Sequence, residues 1–151
     1  MREISMNMDF LGVKFEEYAD RKQIDYFKVK LPFGELFLCD NFFVSEILSE
    51  THIDEDKMLK IVETILKYYG KNVKICYISN RINSYSSNPV LWAKVLKKYD
   101  VFSSGAIVYL NLSGYMNFEV EKNICKKEMK SFKTLDDALS WINDKLFANQ
   151  N

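Results

Sequence analysis

The segment Ser79–Pro89 concentrates the residue types that could do chemistry, being polar at nine of its eleven positions when Tyr85 is counted. It runs from an apolar, strand-like stretch into the start of a helix. Arg81 could offer a bidentate fork to a carboxylate or phosphate, with Ser84, Ser86 and Ser87 supplying hydroxyls and Asn80, Asn83 and Tyr85 completing hydrogen bonds. A helix N-terminus also exposes N–H groups that favour anions. These seven residues, Asn80, Arg81, Asn83, Ser84, Tyr85, Ser86 and Ser87, form the candidate binding site. The same composition serves a plain connection equally well. Asn and Ser are what a tight turn and a helix cap require, and one Arg can brace a loop.

Other chemistries find little support. His52 is the only histidine; Glu50 and Asp54 lie close in sequence and suggest a proton relay, while a position just before a helix suits a surface or capping role. A hydrolytic triad would need this His, yet no Ser lies in a Gly-x-Ser-x-Gly turn. Cys39, Cys76 and Cys125 are too dispersed for a Cys-x-x-Cys site, so no metal or cofactor is expected. Gly70, Gly105 and Gly114 stand alone, without a phosphate-binding motif. Asp136–Asp137 read as helix-start residues. Lys94, Lys97 and Lys98 lack a stacking array beyond Tyr99, so nucleic acid is not expected. Tyr68, Tyr69, Tyr109 and Tyr115 suit either the core or an aromatic partner face.

The elements that position the loop follow from hydrophobic period. Phe27, Val29 and Leu31 alternate with charged residues, and Glu35–Cys39 and Phe42–Leu48 follow across short turns, as in an antiparallel meander. Met58, Ile61, Val62, Ile65 and Tyr69 then recur at helical spacing, with Thr51 or Asp54 as cap and Gly70 at the end. Val73–Ser79 reads as a strand covered on both faces. Asn88–Pro89 opens a helix whose stripe is Trp92, Val95, Leu96 and Tyr99. Ala106–Leu110 is a core strand, and Ser113–Ile124 a helix with Met116, Val120 and Ile124 in register. Lys130–Lys133 suits a sheet edge. Thr134 caps a last helix facing inward through Leu135, Ala138, Leu139, Ile142 and Leu146. Alternating helices and strands require crossovers and a partly parallel sheet.

A chain of 151 residues with 48% hydrophobic content, 5 Gly and 2 Pro fits one α/β domain. Residues 24–147 form that domain, 1–23 an arm or tail in which Phe10, Leu11, Val13 and Phe15 make a short strand or packed tail, and 148–151 a tail. Formal net charge is zero, so no global field draws it to nucleic acid or membrane. Locally, seven acids and no Lys or Arg lie between Glu35 and Asp56, against eight basic and two acidic residues between Lys60 and Asp100. Complementary faces for self-association would use that asymmetry. No signal-peptide core or membrane-length apolar run is seen, so the expected compartment is the cytoplasm, without stable membrane insertion.

Three segments carry a resemblance: Phe43–Ile47 with His52–Asp54, then Tyr77–Ser86, and Phe132–Ala138. Together with the element order they resemble a group of bacterial STAS/SpoIIAA-like proteins over about Ile24 to Leu146. The resemblance implies a SpoIIAA-like mixed sheet, an N-terminal β-meander followed by alternating helices and strands. It also implies a habit of binding partners rather than an activity. The phosphorylatable Asp-Ser-Ser-Gly-like turn of the anti-sigma-factor antagonists is missing, so no phosphorylation residue carries across. The expectation is a non-enzymatic interaction module binding a protein partner or itself through the Asn80–Ser87 loop. The alternative is a small-molecule binder holding an anionic or amphipathic ligand at residues 79–89 and the helix start that follows.

Overall fold

The computed structural model describes residues 12–110, 112–124 and 127–150; Phe10, Leu11 and Cys125 lie outside them. Its elements are α1 (Phe15–Lys22), β1 (Phe27–Leu31), β2 (Gly34–Leu38), β3 (Phe42–Ile47), β4 (His52–Ile53), α2 (Glu55–Tyr69), β5 (Ile75–Arg81), β6 (Ser86–Ser87), α3 (Pro89–Lys98), β7 (Phe102–Tyr109), α4 (Leu112–Ile124), β8 (Glu128–Phe132) and α5 (Leu135–Gln150).

Six strands form one mixed sheet in the order β1-β2-β3-β5-β7-β8, and β4 pairs with β6 in a two-stranded sheet. The first three strands pair antiparallel, as tight turns dictate. The β3–β5, β5–β7 and β7–β8 pairs are parallel, each reached through a helical crossover. On one face lie α2, α3 and α4 over a core that includes Phe43, Met58, Ile65, Tyr77, Phe102 and Phe118. On the other, α1 and α5 cover Phe37, Val44, Cys76, Ile78, Ala106 and Ile142. The β5 residues Ile75 and Tyr77 join the first core and Cys76 and Ile78 the second, the period-two alternation of a strand buried on both faces. The Tyr77 ring lies across Gly105, where a Cβ would collide with it.

Local chemistry sets the ends. Asp54 accepts a hydrogen bond from Lys57 N at 3.0 Å and caps α2, which ends at Gly70 with φ of 92°. Thr134 Oγ1 accepts from Asp137 N at 3.1 Å and caps α5. Within residues 1–23 the described part forms helix α1, with Phe15, Tyr18 and Ala19 buried against the sheet. Cys39 and Cys76 are buried free thiols, that of Cys39 pushed up to about 12 by burial and by Asp40.

Two local expectations are corrected. Strand β5 runs on through Asn80 and Arg81 because both pair with β7, Asn80 with Val108 and Arg81 with Tyr109. In α4, Met116 and Val120 are solvent-exposed, while Phe118 and Glu121 face the core.

Candidate functional site

The polar segment does not act as one loop. Asn80 and Arg81 close the central strand, and Ser86–Ser87 pair with His52–Ile53. Between them, Asn83 Nδ2 donates to Ile47 O at 3.0 Å, and Ser84 O accepts from Glu50 N at 2.8 Å. Glu50 itself sits in the left-handed region with φ of 65°, a conformation few side chains adopt. Asn83 and Ser84 therefore hold the connection against the end of β3.

Strand alternation sends Ser79 and Arg81 to the α2–α4 face and Asn80 to the opposite one. On the α2–α4 face, Arg81 donates from a terminal guanidinium nitrogen to Glu121 Oε2 at 2.7 Å and from Nε to Ser79 Oγ at 3.2 Å. Ser79 Oγ lies 3.1 Å from the Tyr85 hydroxyl, and Ser87 Oγ donates to Glu121 Oε1 at 3.4 Å. The guanidinium carbon sits 5.8 Å from the Tyr85 ring centre. The pair is well shielded, with side-chain exposures of 15% for Arg81 and 5% for Glu121. Burial opposes the Arg81 charge, but Tyr85 and Glu121 outweigh it and raise the pKa above the ordinary Arg range. The charge is permanent and already answered.

Beneath this cluster is a cavity of about 70 Å³, walled by apolar side chains that include Phe43, Ile53, Met58, Tyr77, Trp92 and Ile107. A second cavity of about 200 Å³ lies outside it, bounded by Ser86, Pro89 and Val120. Arg81, Tyr85, Ser87 and Glu121 line both and form the neck between them. The site therefore grades from an apolar interior through a hydroxyl-rich, ion-paired neck to the surface. It lies where the carboxyl ends of parallel strands meet the α3 start, the usual place for ligands in open α/β sheets.

Two anion-binding elements expected from sequence are otherwise engaged. Asn88 Oδ1 accepts from Val90 N at 3.0 Å and from Leu91 N at 3.3 Å, and Pro89 has no N–H. Arg81 answers Glu121. His52 Nδ1 lies 2.7 Å from Ser86 Oγ at the exposed rim, and no hydrogen bond orients its other ring nitrogen among the described residues. No group of three or more His, Cys, Asp or Glu is placed to hold a metal among the described residues.

Glu121 was not anticipated as part of the site. Its neighbours in sequence, Val120 and Lys122, carry no hint of burial; only its partner, 40 positions away, accounts for it. Asn80 belongs to a separate cluster, donating to Glu46 Oε2 at 2.8 Å and Val13 O at 3.0 Å.

No protein-family model matches the sequence, and no curated protein does. Among solved structures, an uncharacterised protein of the DUF3478 family from Shewanella loihica PV-4, described as having a SpoIIAA-like fold, superposes with a TM-score of 0.50. The sequences are 18% identical, and the match covers 78% of this chain and 92% of that one. The fold is SpoIIAA-like. That likeness is one of fold and leaves any ligand or partner to the site itself. In this SpoIIAA-like frame, the Ser79–Ser87 cluster occupies the junction between a central strand and the helix after it. No helix among the described residues is long and apolar enough to cross a membrane.

Proposed function

We propose that this chain is a cytoplasmic, non-enzymatic STAS-like module that takes a small amphipathic ligand between the sheet and α2–α4. The ligand's apolar part would enter the space walled by Phe43, Met58 and Trp92. Its polar end would meet Ser79, Tyr85 and Ser87 at the neck. The observation that carries this reading is the graded cavity, apolar inside and ringed by hydroxyls and a closed ion pair outside. Because Arg81 and the α3 N–H groups are already engaged, a neutral or weakly polar head group suits the neck better than a free anion. Burying a second charge beside Glu121 would cost more than it returned.

A second reading, recognition of a protein partner, is favoured by one feature. Val90, Met116 and Val120 are 64%, 59% and 50% exposed, and Val120 borders the outer cavity. An apolar rim of this kind suits a docking surface. In this reading the contact is made by α3 and α4, with Arg81 holding α4 in place.

The first reading is tested by titrating 1-hexanol and hexanoate while following Trp92 emission in a Trp141→Phe background. Hexanol is expected to give a saturable change, with hexanoate weaker. Ser79→Leu, which fills the neck, is expected to abolish the response while the fold persists by circular dichroism. A linear, non-saturating response, or one unchanged by Ser79→Leu, contradicts the reading.

A further inference from the structure

The six-stranded sheet has β1 at one of its edges. The two-residue turn Pro32-Phe33 joins β1 to β2, so Leu31 and Gly34 form the closing hydrogen-bonded pair. By alternation Val29 and Phe27 bond inward to β2, and the backbone N–H and C=O groups of Lys28 and Lys30 point away from the sheet. No strand among the described residues pairs with them. An open edge of this kind is a template for another strand.

The two faces of β1 differ. On the α2 side, Phe27 is 57% exposed and stacks on Tyr68, itself 50% exposed, with ring centres 5.7 Å apart. Val29 and Leu31 continue that side and are only partly covered by the core. An apolar row therefore runs along the open edge. On the α1 side, Lys28 Nζ lies 3.0 Å from both Glu16 and Glu35, so two partly exposed carboxylates share one ammonium. Those contacts draw Lys28 toward α1 and away from the edge, where a free lysine would blunt pairing. Lys30 is exposed and enters no ion pair among the described residues.

These features complement themselves. With β1 laid antiparallel against β1 of a second copy, Val29 opposite Val29, the whole of Phe27–Leu31 overlaps. Phe27 then faces Leu31 in both directions and the apolar row continues across the join. Lys30 of the second copy comes beside Lys28, where Glu16 and Glu35 hold a carboxylate to spare. Each copy brings Lys28 and Lys30 against Glu16 and Glu35, so the charges balance. The outward backbone groups of Lys28 and Lys30 bond to one another. A two-fold arrangement serves both copies alike and closes at the dimer.

We infer that two copies of this chain join edge to edge through β1 into one continuous sheet, with Phe27, Val29 and Leu31 lining the join and Lys30 completing the Glu16–Lys28–Glu35 cluster of its neighbour. The interface lies apart from the amphipathic cavity and does not depend on it.

The test is sedimentation velocity of the full chain from micromolar to millimolar concentration, the range suited to a small interface, with amide hydrogen exchange at the same concentrations. A monomer–dimer equilibrium is expected. The Lys28 and Lys30 amides should exchange more slowly as the dimer fills, while the Val29 amide, already bonded to β2, does not change. Lys30→Pro removes only an outward N–H and is expected to abolish the dimer while circular dichroism is retained. Phe27→Ser, at an exposed position, leaves the backbone whole and is expected to weaken the dimer about tenfold. Met116→Ser, on α4, is expected to leave it unchanged. A monomer at every concentration, or growth beyond the dimer into an open polymer, would overturn the inference. So would a dimer whose Lys28 and Lys30 amides exchange as in the monomer, or one indifferent to Phe27→Ser.

Discussion

Two buried carboxylates meet the end of the same central strand from opposite faces, and they are satisfied in different ways. Glu121, on α4, receives a guanidinium and a hydroxyl from Arg81 and Ser87. Glu46, on β3, receives only neutral donors, the Phe15 amide at 2.6 Å and the Asn80 side chain at 2.8 Å. A full charge answers the first; dipoles answer the second. The consequence falls on the carboxyl of Glu46. Burial raises its pKa, with the bonds from Phe15 and Asn80 opposing that rise. One strand end therefore presents a fixed ion pair to an apolar cavity and a proton-sensitive carboxyl to the α1 docking seam.

The largest effect should come from unbalancing the ion pair. Arg81→Ala leaves Glu121 buried without its cation and is expected to cost about 3–5 kcal/mol in urea unfolding. Replacing both, Arg81→Met with Glu121→Leu, is expected to recover most of that loss, since well-packed apolar groups often match a buried pair. If the single and double variants are equally unstable, the pair is not the feature that holds α4 to β5.

A smaller, pH-dependent effect is expected at Glu46. An acid whose pKa is higher folded than unfolded contributes stability that is full below the unfolded value. That contribution is lost as pH rises through the folded value. Glu46→Gln keeps an acceptor for the Phe15 amide but cannot ionise. Its stability relative to wild type should therefore increase with pH across the carboxylate range, by roughly 1.4 kcal/mol for each unit of elevation. A difference independent of pH would contradict the contrast between the two carboxylates.

Much of this architecture is legible in the chain because local and tertiary signals agree. Met58, Ile61, Val62 and Ile65 mark α2, Asp54 marks its start, and all four apolar residues are buried. Thr134 marks the start of α5 in the same way. The signal fails where pairing partners lie far away. Asn80 and Arg81 have turn-like side chains, but neighbouring β7 keeps their backbone extended. In α4 the apolar pattern is weak, and a distant guanidinium turns Glu121 inward while Met116 and Val120 stay outside. Helix α1 does carry a trace, Phe15, Tyr18 and Ala19 at helical spacing, but within eight residues that are otherwise polar. Of the seven residues singled out around the loop, Arg81, Tyr85, Ser86 and Ser87 border the cavities of one face. Asn80 faces away, and Asn83 and Ser84 brace the connection. Sequence spacing alone does not encode that division, because it depends on where the strand ends.

The central claim is that an amphipathic molecule enters the interior rather than resting on the rim. Two methionines separate these cases: Met58 walls the inner cavity and is 1% exposed, whereas Met116 lies on the outer surface of α4 at 59%. With methionine methyl groups carbon-13 labelled, nuclear Overhauser contacts from bound 1-hexanol should appear at the Met58 methyl. None should appear at Met116. Contacts at Met116 without any at Met58 would place the molecule on the rim and contradict the account.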